Sequence, residues 1–456
     1  MSLPPRRLFG TNGIRGVTNV DMTPDFATRI AYAIGTYFGG GEIVVGYDAR
    51  SSSFLLSRAV IAGLLASGCS VYEIGRVPTP CLQFYVRSQN FDGGVMITAS
   101  HNPPQYNGIK VVASDGVEID RTEEVKVEEI YFNQRWRLAN WDRIPRHYVC
   151  EDAIDVYING ILRHVDAEAI REAKLTVIVD PGGGVGALTT PRLLSELGCR
   201  VMTINANLDP LFSARGPEPR PDVLDGLRST IITSKAAFGV AHDGDADRAI
   251  FADDKGRVHW GDRSFAVIEN WFLDKHPGET VVTPVSSSRV IEDVAQRHGS
   301  QVYWVRVGSV DVSRTMTKHN FMIGGEENGG VFYGPHQPVR DGALAAALIA
   351  HIIVESGKTL AQLLDDLPQY HQIKEKVHAP REKADKVVEL AQRELTAIRF
   401  DTVDGVKAWF EDGSWLLIRP SGTEPIFRIF SEARTPERAR ELADLGKSIV
   451  LQATHA

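Results

Sequence analysis

The 456-residue chain has only four cysteines, Cys69, Cys81, Cys150 and Cys199, and no C-x-x-C pair among them. Their spacing excludes both a zinc site and a disulfide framework, so they read as reduced thiols, most of them buried. Long apolar runs are missing as well. No window approaches the roughly 18 uninterrupted apolar residues of a spanning helix, and residues 1–20 hold no apolar signal core. Both lacks predict a cytoplasmic protein with no membrane partner. Nor is there a basic excess: 50 Lys and Arg face 58 Asp and Glu, a formal charge of −8, and no basic-aromatic tract occurs. That balance argues against nucleic-acid binding driven by counterion release, while leaving local basic clefts able to hold phosphate. Composition is otherwise ordinary for a globular chain, at 43% hydrophobic and 24% charged. The length predicts roughly three or four domains.

What the chain does have is an internal repeat. Strand-like runs at Glu42–Asp48, Leu175–Asp180 and Thr280–Thr283 each lead into a helical pattern, at Leu55–Leu65, Pro191–Leu197 and Val290–His298. A glycine follows each helix, Gly68, Gly198 and Gly299, as suits a positive-φ position past a helix end, and a second strand comes next. A third strand in each cycle runs into a polar loop: Ser100–Pro103, Asp243–Arg248 and Gly325–Gly329. This alternation predicts βαβ units on mixed, mainly parallel sheets, with ligands beyond the strand ends. Three equivalent loops then face one cleft. Three generic α/β units would share the alternation, so the polar loops carry the argument. The tail from about 369 differs: Gly405–Phe410 and Ser414–Arg419 predict a hairpin around Asp412-Gly413, followed by a strand at Phe427–Ala433 and a helix over Pro436–Ala453. The expected domains are residues 1–150, 151–254 and 255–368, all α/β, and a smaller α+β domain at 369–456.

The loops bear the chemistry. Thr98-Ala99-Ser100-His101-Asn102-Pro103 ends the apolar run Gly94–Ile97 and places a hydroxyl beside an imidazole. A serine hydroxyl is a weak nucleophile and needs a proton path or charge from His101, Lys110 or an arginine. Ser100 can alternatively carry a phosphate, whose roughly −1.5 to −2 charge calls for a cation and arginines nearby. The bland reading is a turn whose serine or asparagine satisfies backbone donors. Asp243, Asp245 and Asp247 form a hard oxygen set suited to Mg²⁺ rather than Zn²⁺, and Arg248 beside them suits a phosphate. A solvated acidic turn is the competing reading. Arg419-Pro420-Ser421-Gly422-Thr423-Glu424-Pro425, with Arg428 following, offers a phosphate nest or an ordinary hairpin loop. Gly325–Gly330 carries acceptors for sugar hydroxyls, or forms a simple turn. Phe9–Gly16 is glycine-rich and ends near Arg15, but it does not follow a strand and open a helix, so a dinucleotide fingerprint is disfavoured.

The ordered set Gly10–Gly16, Thr98–Pro103, Asp243–Arg248, Gly325–Gly329 and Arg419–Pro425 resembles the α-D-phosphohexomutases over nearly the whole chain, most of all the archaeal phosphomannomutase/phosphoglucomutase type. The resemblance implies three related α/β domains and a smaller C-terminal one around a central cleft. It implies that Ser100 carries the phosphoryl group and that Asp243, Asp245 and Asp247 hold Mg²⁺ together with a phosphoserine oxygen. Lys110 and Arg15 would flank the transferring phosphate, and His101 would orient the site. Arg248 and the Val307-Gly308 loop would contact the sugar or its phosphate, and Glu326 and Asn328 would bind sugar hydroxyls. Arg419, Ser421, Gly422, Thr423 and Arg428 would anchor the non-reacting phosphate. The implied activity interconverts hexose 1-phosphate and hexose 6-phosphate of mannose or glucose, through a hexose 1,6-bisphosphate that is both intermediate and activator. Phosphoglucosamine mutase is the nearest competitor, followed by a metal-dependent phosphosugar phosphatase and a non-catalytic phosphosugar-binding protein. One departure stands out. Many bacterial members carry histidine two positions after the residue matching Asn328; here that position is Gly330, and His336 nearby is not an evident substitute. No helix presents a dimerisation seam.

Overall fold

Buried apolar strands alternating with helices build three units and a fourth of different design in the computed structural model, which describes residues 7–421 and 425–455. Gly422 and Thr423 of the expected phosphate nest therefore lie outside the described residues. The first unit has β1 (Ile14–Val17), β2 (Glu42–Tyr47), β3 (Ser70–Arg76), β4 (Gly93–Ile97), β5 (Tyr106–Ala113) and β6 (His147–Val149), in the order β1-β5-β4-β2-β3-β6. The second has β7 (Thr176–Asp180), β8 (Arg200–Thr203), β9 (Phe238–His242) and β10 (Ala249–Asp253), in the order β10-β9-β7-β8. The third has β11 (Thr280–Pro284), β12 (Gln301–Val305), β13 (Ile323–Gly325), β14 (Val331–Tyr333) and β15 (Gln337–Arg340), in the order β12-β11-β13-β14-β15.

The repeat read from the sequence is a repeat of topology. In each unit the first strand of the cycle pairs in parallel with the second and the third, and the third turns back into an antiparallel partner: β4 into β5, β9 into β10, β13 into β14. The polar loops are these three turns. β4, β9 and β13 are buried at every residue, as central strands covered on both faces must be, so their turns emerge at one place on each sheet. Gly68, Gly198 and Gly299 have φ of +90°, +85° and +64°, the left-handed conformation expected after each helix.

One continuous apolar cluster runs from Val44 and Met96 through Tyr157, Phe238 and Phe265 to Leu367, so the first three units share a core. The fourth unit has its own, from Ala379 to Ala453. It is an antiparallel sheet of β16 (His371–His378), β17 (Arg399–Asp401), β18 (Val406–Trp409), β19 (Trp415–Pro420) and β20 (Ile426–Ala433), in the order β16-β20-β19-β18-β17, with helices Ala384–Glu394 and Pro436–His455. A separate small cluster, Val285 and Trp304 against Trp409 and Trp415, joins it to the third unit. Lys407 Nζ sits in that seam, 3.9 to 4.3 Å from the ring centres of Trp304, Trp409 and Trp415, and donates to the Val285 carbonyl at 2.8 Å.

Candidate active site

The turn after β4 is held in a costly shape. Ser100 has φ +51°, a conformation few non-glycine residues adopt. A buried network maintains it. The Thr98 hydroxyl accepts the Ser100 N–H at 2.9 Å and donates to Asp48 Oδ2 at 2.7 Å. Arg50, fully buried and paired with Asp48 at 3.0 Å, donates to the carbonyls of Ser100, Asn102, Pro103 and Tyr106. The Ser100 side chain is thereby aimed out of its own unit: Oγ donates to Asp243 Oδ2 at 2.7 Å and lies 3.4 Å from His101 Nδ1.

The turn after β9 brings Asp243, Asp245 and Asp247 together, all buried, with candidate ligand oxygens within 4.8 Å of one another. Their outer oxygens are tied down. Asp245 Oδ2 accepts from Thr79 Oγ1 at 2.6 Å and from Lys110 Nζ at 2.8 Å, and Asp247 Oδ2 accepts from Lys110 at 3.2 Å and Arg340 at 2.5 Å. The Oδ1 atoms of Asp245 and Asp247 are buried and have no hydrogen-bond partner, whereas Asp243 Oδ1 accepts the Arg248 N–H at 3.2 Å. Burial pushes the Asp243 carboxyl well above its usual range, and the neighbouring Asp247 and Asp245 push it the same way. Burial opposes ionisation of Asp245 too, but Lys110, Thr79 and Arg340 together outweigh it and hold that carboxyl low. Two buried carboxylate oxygens without a donor, in a cluster of three acids, are what a small hard cation satisfies. The residues present therefore fit Mg²⁺.

Cations ring the serine. Lys110, on β5 opposite Met96, is 1% exposed; burial disfavours its ammonium, yet Asp245 and Asp247 raise its pKa. Arg15 donates to Asn102 Oδ1 at 2.5 Å. Arg248 has its Nε 3.9 Å from Asp243 and 3.8 Å from Asp247, without a hydrogen bond. Burial, and then the charges of Arg248, Arg15 and Arg340, push His101 well below an ordinary imidazole, so it is neutral.

The third turn closes the pocket. Glu326 pairs with Arg340 at 3.3 Å, and the Gly329 carbonyl accepts the Ala249 N–H at 2.9 Å, joining this turn to β10. Asn328 Oδ1 accepts the Gly330 N–H at 3.2 Å and shapes the turn itself. Gly308, at φ +143°, adjoins Thr11, and Asn12 Nδ2 donates to Ser309 Oγ at 2.7 Å, so the glycine-rich loop of the first unit meets the third. On the fourth unit Arg419 and Arg428 are direct cross-strand partners, Arg419 bonds Asp404 at 2.8 Å, and Ser421 N–H donates to Ile426 O. Asp404 also accepts the Val307 N–H at 3.2 Å, linking the clamp to the Val307-Gly308 loop.

Sequence reasoning missed Arg340, Thr79 and Arg50. Thr79 and Arg50 sit outside any motif and had no local signal. Arg340 had one: it ends a strand beside Asp341, which caps the helix Gly342–Ser356, and so it is a charge fixed at a strand-to-helix turn.

A hydroxyl against a buried carboxylate triad, under several fixed guanidinium groups, is the equipment of a phosphotransfer enzyme. The chain matches all four models of one family, phosphoglucomutase/phosphomannomutase: α/β/α domain I at residues 6–138, domain II at 155–256, domain III at 260–370 and the C-terminal domain at 374–445. It is 45% identical over 453 residues to a phosphoglucosamine/phosphogalactosamine mutase of Sulfurisphaera tokodaii, covering 97% of this chain and 99% of that one. To a phosphoglucomutase/phosphomannomutase of Thermococcus kodakarensis it is 44% identical, covering 98% and 99%. A solved phosphoglucomutase/phosphomannomutase family protein from Burkholderia thailandensis superposes with a TM-score of 0.87 at 25% identity, covering 98% and 97%. The chain belongs to the phosphoglucomutase/phosphomannomutase family. Its members are isomerases that move a phosphoryl group within one sugar. Among the described residues no helix is long and apolar enough to cross a membrane, and all four cysteines are free thiols.

Proposed function

We propose that this protein interconverts hexose 1-phosphates and hexose 6-phosphates, with Ser100 as the residue that gives and takes the phosphoryl group. The observation that carries the reading is the 2.7 Å contact between Ser100 Oγ and Asp243, beside the two orphaned oxygens of Asp245 and Asp247. In the forward half, the sugar hydroxyl attacks the phosphorus of phosphorylated Ser100, the Ser100 Oγ–P bond breaks, and the product is a hexose 1,6-bisphosphate. In the return half, Ser100 Oγ attacks the phosphorus of the other phosphate of the turned-over sugar, that sugar O–P bond breaks, the sugar oxygen takes up the proton, and the hexose monophosphate leaves with Ser100 phosphorylated again. Lys110, Arg15 and Arg248 offset charge on the transferring group, and neutral His101, 3.4 Å from Ser100 Oγ, carries the hydroxyl proton in this reading. Asp243, Asp245 and Asp247 would hold Mg²⁺, which would supply neutralisation of the charge on the transferring group. Glu326 and Asn328 bind sugar hydroxyls, and Arg419, Ser421 and Arg428, with Gly422 and Thr423, hold the phosphate that is not reacting. Ser100 is buried, which supports transfer to sugar over loss to water.

Mannose and glucose phosphates are the first substrates. Glucosamine 1-phosphate is the second reading, favoured by the 45% identity to the Sulfurisphaera tokodaii enzyme. Phosphorus NMR with Mg²⁺, a trace of hexose 1,6-bisphosphate and the three sugar 1-phosphates in parallel tests both. Appearance of a 6-phosphate supports the reading and ranks the sugars; inorganic phosphate as the product would replace it with a hydrolase. The four free thiols support a reducing, cytoplasmic compartment.

A further inference from the structure

Arg340 is 5% exposed at the end of β15 and touches two loops at once: one guanidinium nitrogen is 2.5 Å from Asp247 Oδ2 in the metal loop, the other 3.3 Å from Glu326 Oε2 in the sugar loop. Its backbone is fixed by the next residue. Asp341 caps the helix Gly342–Ser356 by accepting the Leu344 N–H at 3.0 Å, and it also accepts from Tyr157 Oη at 2.5 Å and Gln337 Nε2 at 3.0 Å. The guanidinium is therefore held from behind while its fork spans two carboxylates, a geometry that a single ammonium cannot copy.

Gly330 gives the path. A Cβ built there would lie 2.6 Å from Arg340 Cδ, 2.9 Å from Arg340 Cγ and 2.8 Å from Glu326 Oε2, so the arginine stem fills the room a side chain at 330 would need. With Asp247 Oδ2 taken by Arg340 and Lys110, the orphaned Oδ1 is the oxygen left for a cation. With Glu326 held by the other arm, its remaining oxygen is set for a sugar hydroxyl.

We propose that Arg340 is a positioning residue that locks the sugar-reading carboxylate Glu326 to the metal-loop carboxylate Asp247, and that position 330 is glycine so that the Arg340 side chain can reach both. The inference rests on the mutase reading above. It predicts that Gly330→Ala acts through the Arg340–Glu326 contact, which the added carbon crowds from both ends, so that the two sites are coupled.

The test is a double-mutant cycle on kcat/KM, with calorimetric binding of glucose 1-phosphate as a second readout. Arg340→Ala lowers kcat/KM about 10- to 100-fold, and Gly330→Ala alone does the same. Adding Gly330→Ala to Arg340→Ala costs less than about 3-fold more, because the obstructed stem is already gone. Both single variants weaken glucose 1-phosphate binding. Multiplicative losses in the double variant would overturn the proposal. Arg340→Lys covers the case in which Arg340→Ala does not fold: it is expected to lose binding and turnover partly, and full retention of both would equally overturn it. An unaltered protein with no turnover would instead defeat the mutase reading, an outcome the cycle does not resemble.

Discussion

Ser100 Oγ and Asp243 Oδ2 lie 2.7 Å apart across the boundary between two repeats, so the hydroxyl of one unit and the first acid of the next form one centre. Ser100→Ala removes the group on which the phosphoryl is carried. Turnover is expected to fall by at least about 10³-fold with the fold intact, as loss of a covalent nucleophile does. Intact mass spectrometry gives an independent check: the unaltered protein gains one phosphoryl group from hexose 1,6-bisphosphate and the variant gains none.

Gly244 sits between the two loops, and a Cβ there would lie 2.6 Å from the Ser100 carbonyl oxygen. Backbone cannot yield as a flexible side chain does. Gly244→Ala is expected to push the metal loop off the serine loop and reduce kcat more than about 10-fold while changing the melting temperature little. A variant of unchanged kcat would show that the contact between these loops does not set the geometry.

Cation binding relieves the crowding of Asp243, Asp245 and Asp247, so Mg²⁺ is expected to raise the melting temperature; saturation at about 100 Kd adds about 2.7 kcal/mol. Asp243→Asn removes one of the three charges, and the gain with Mg²⁺ shrinks. Differential scanning calorimetry across a Mg²⁺ series measures both. Removal of divalent ions with a chelator abolishes turnover, and added Mg²⁺ restores it.

His336 is buried between Phe84, stacked at 4.5 Å, and His164, and burial followed by the charges of His164 and Arg87 lowers its pKa to about 3. It is neutral in the fold and protonated in the unfolded chain below about pH 6.5. The stability it contributes is therefore complete above pH 6.5 and is lost as pH falls toward 3, at about 1.4 kcal/mol per unit. His336→Phe flattens that part of the curve, as read by urea unfolding between pH 7 and pH 4.

Lys407 fills the seam between the third and fourth units among three indoles, with burial bringing its pKa down to about 7. Lys407→Ala removes those contacts and leaves a cavity, at a cost of about 3 kcal/mol. Because the fourth unit has a core of its own, the loss falls on docking: limited proteolysis is expected to release residues from about 370 onward faster than in the unaltered protein.

The repeat, the three polar turns and the C-terminal hairpin were legible because each is written in a short run: an apolar strand, a helix, a glycine, a charged loop. β16 and the helix Ala384–Glu394 were not. β16 reads His-Gln-Ile-Lys-Glu-Lys-Val-His, an edge strand covered on one side only, and its charges hide the strand pattern. Asp243, Asp245 and Asp247 could be paired with Ser100 by chemistry, but not with Arg340, which is 93 residues from Asp247 and meets it only when two sheets are placed side by side. Arg50 is hidden for a different reason. Apart from Asp48, its partners are backbone carbonyls, which no side-chain motif announces.

The most direct test of the central claim follows one labelled phosphoryl group. Protein carrying radiolabelled phosphate on Ser100 is mixed with unlabelled hexose 1-phosphate and Mg²⁺, and the label is traced through a single turnover. Label that leaves the protein for hexose 1,6-bisphosphate, while unlabelled phosphate returns to Ser100, is the predicted result. Label released as inorganic phosphate, or found on a residue other than Ser100, would contradict the account.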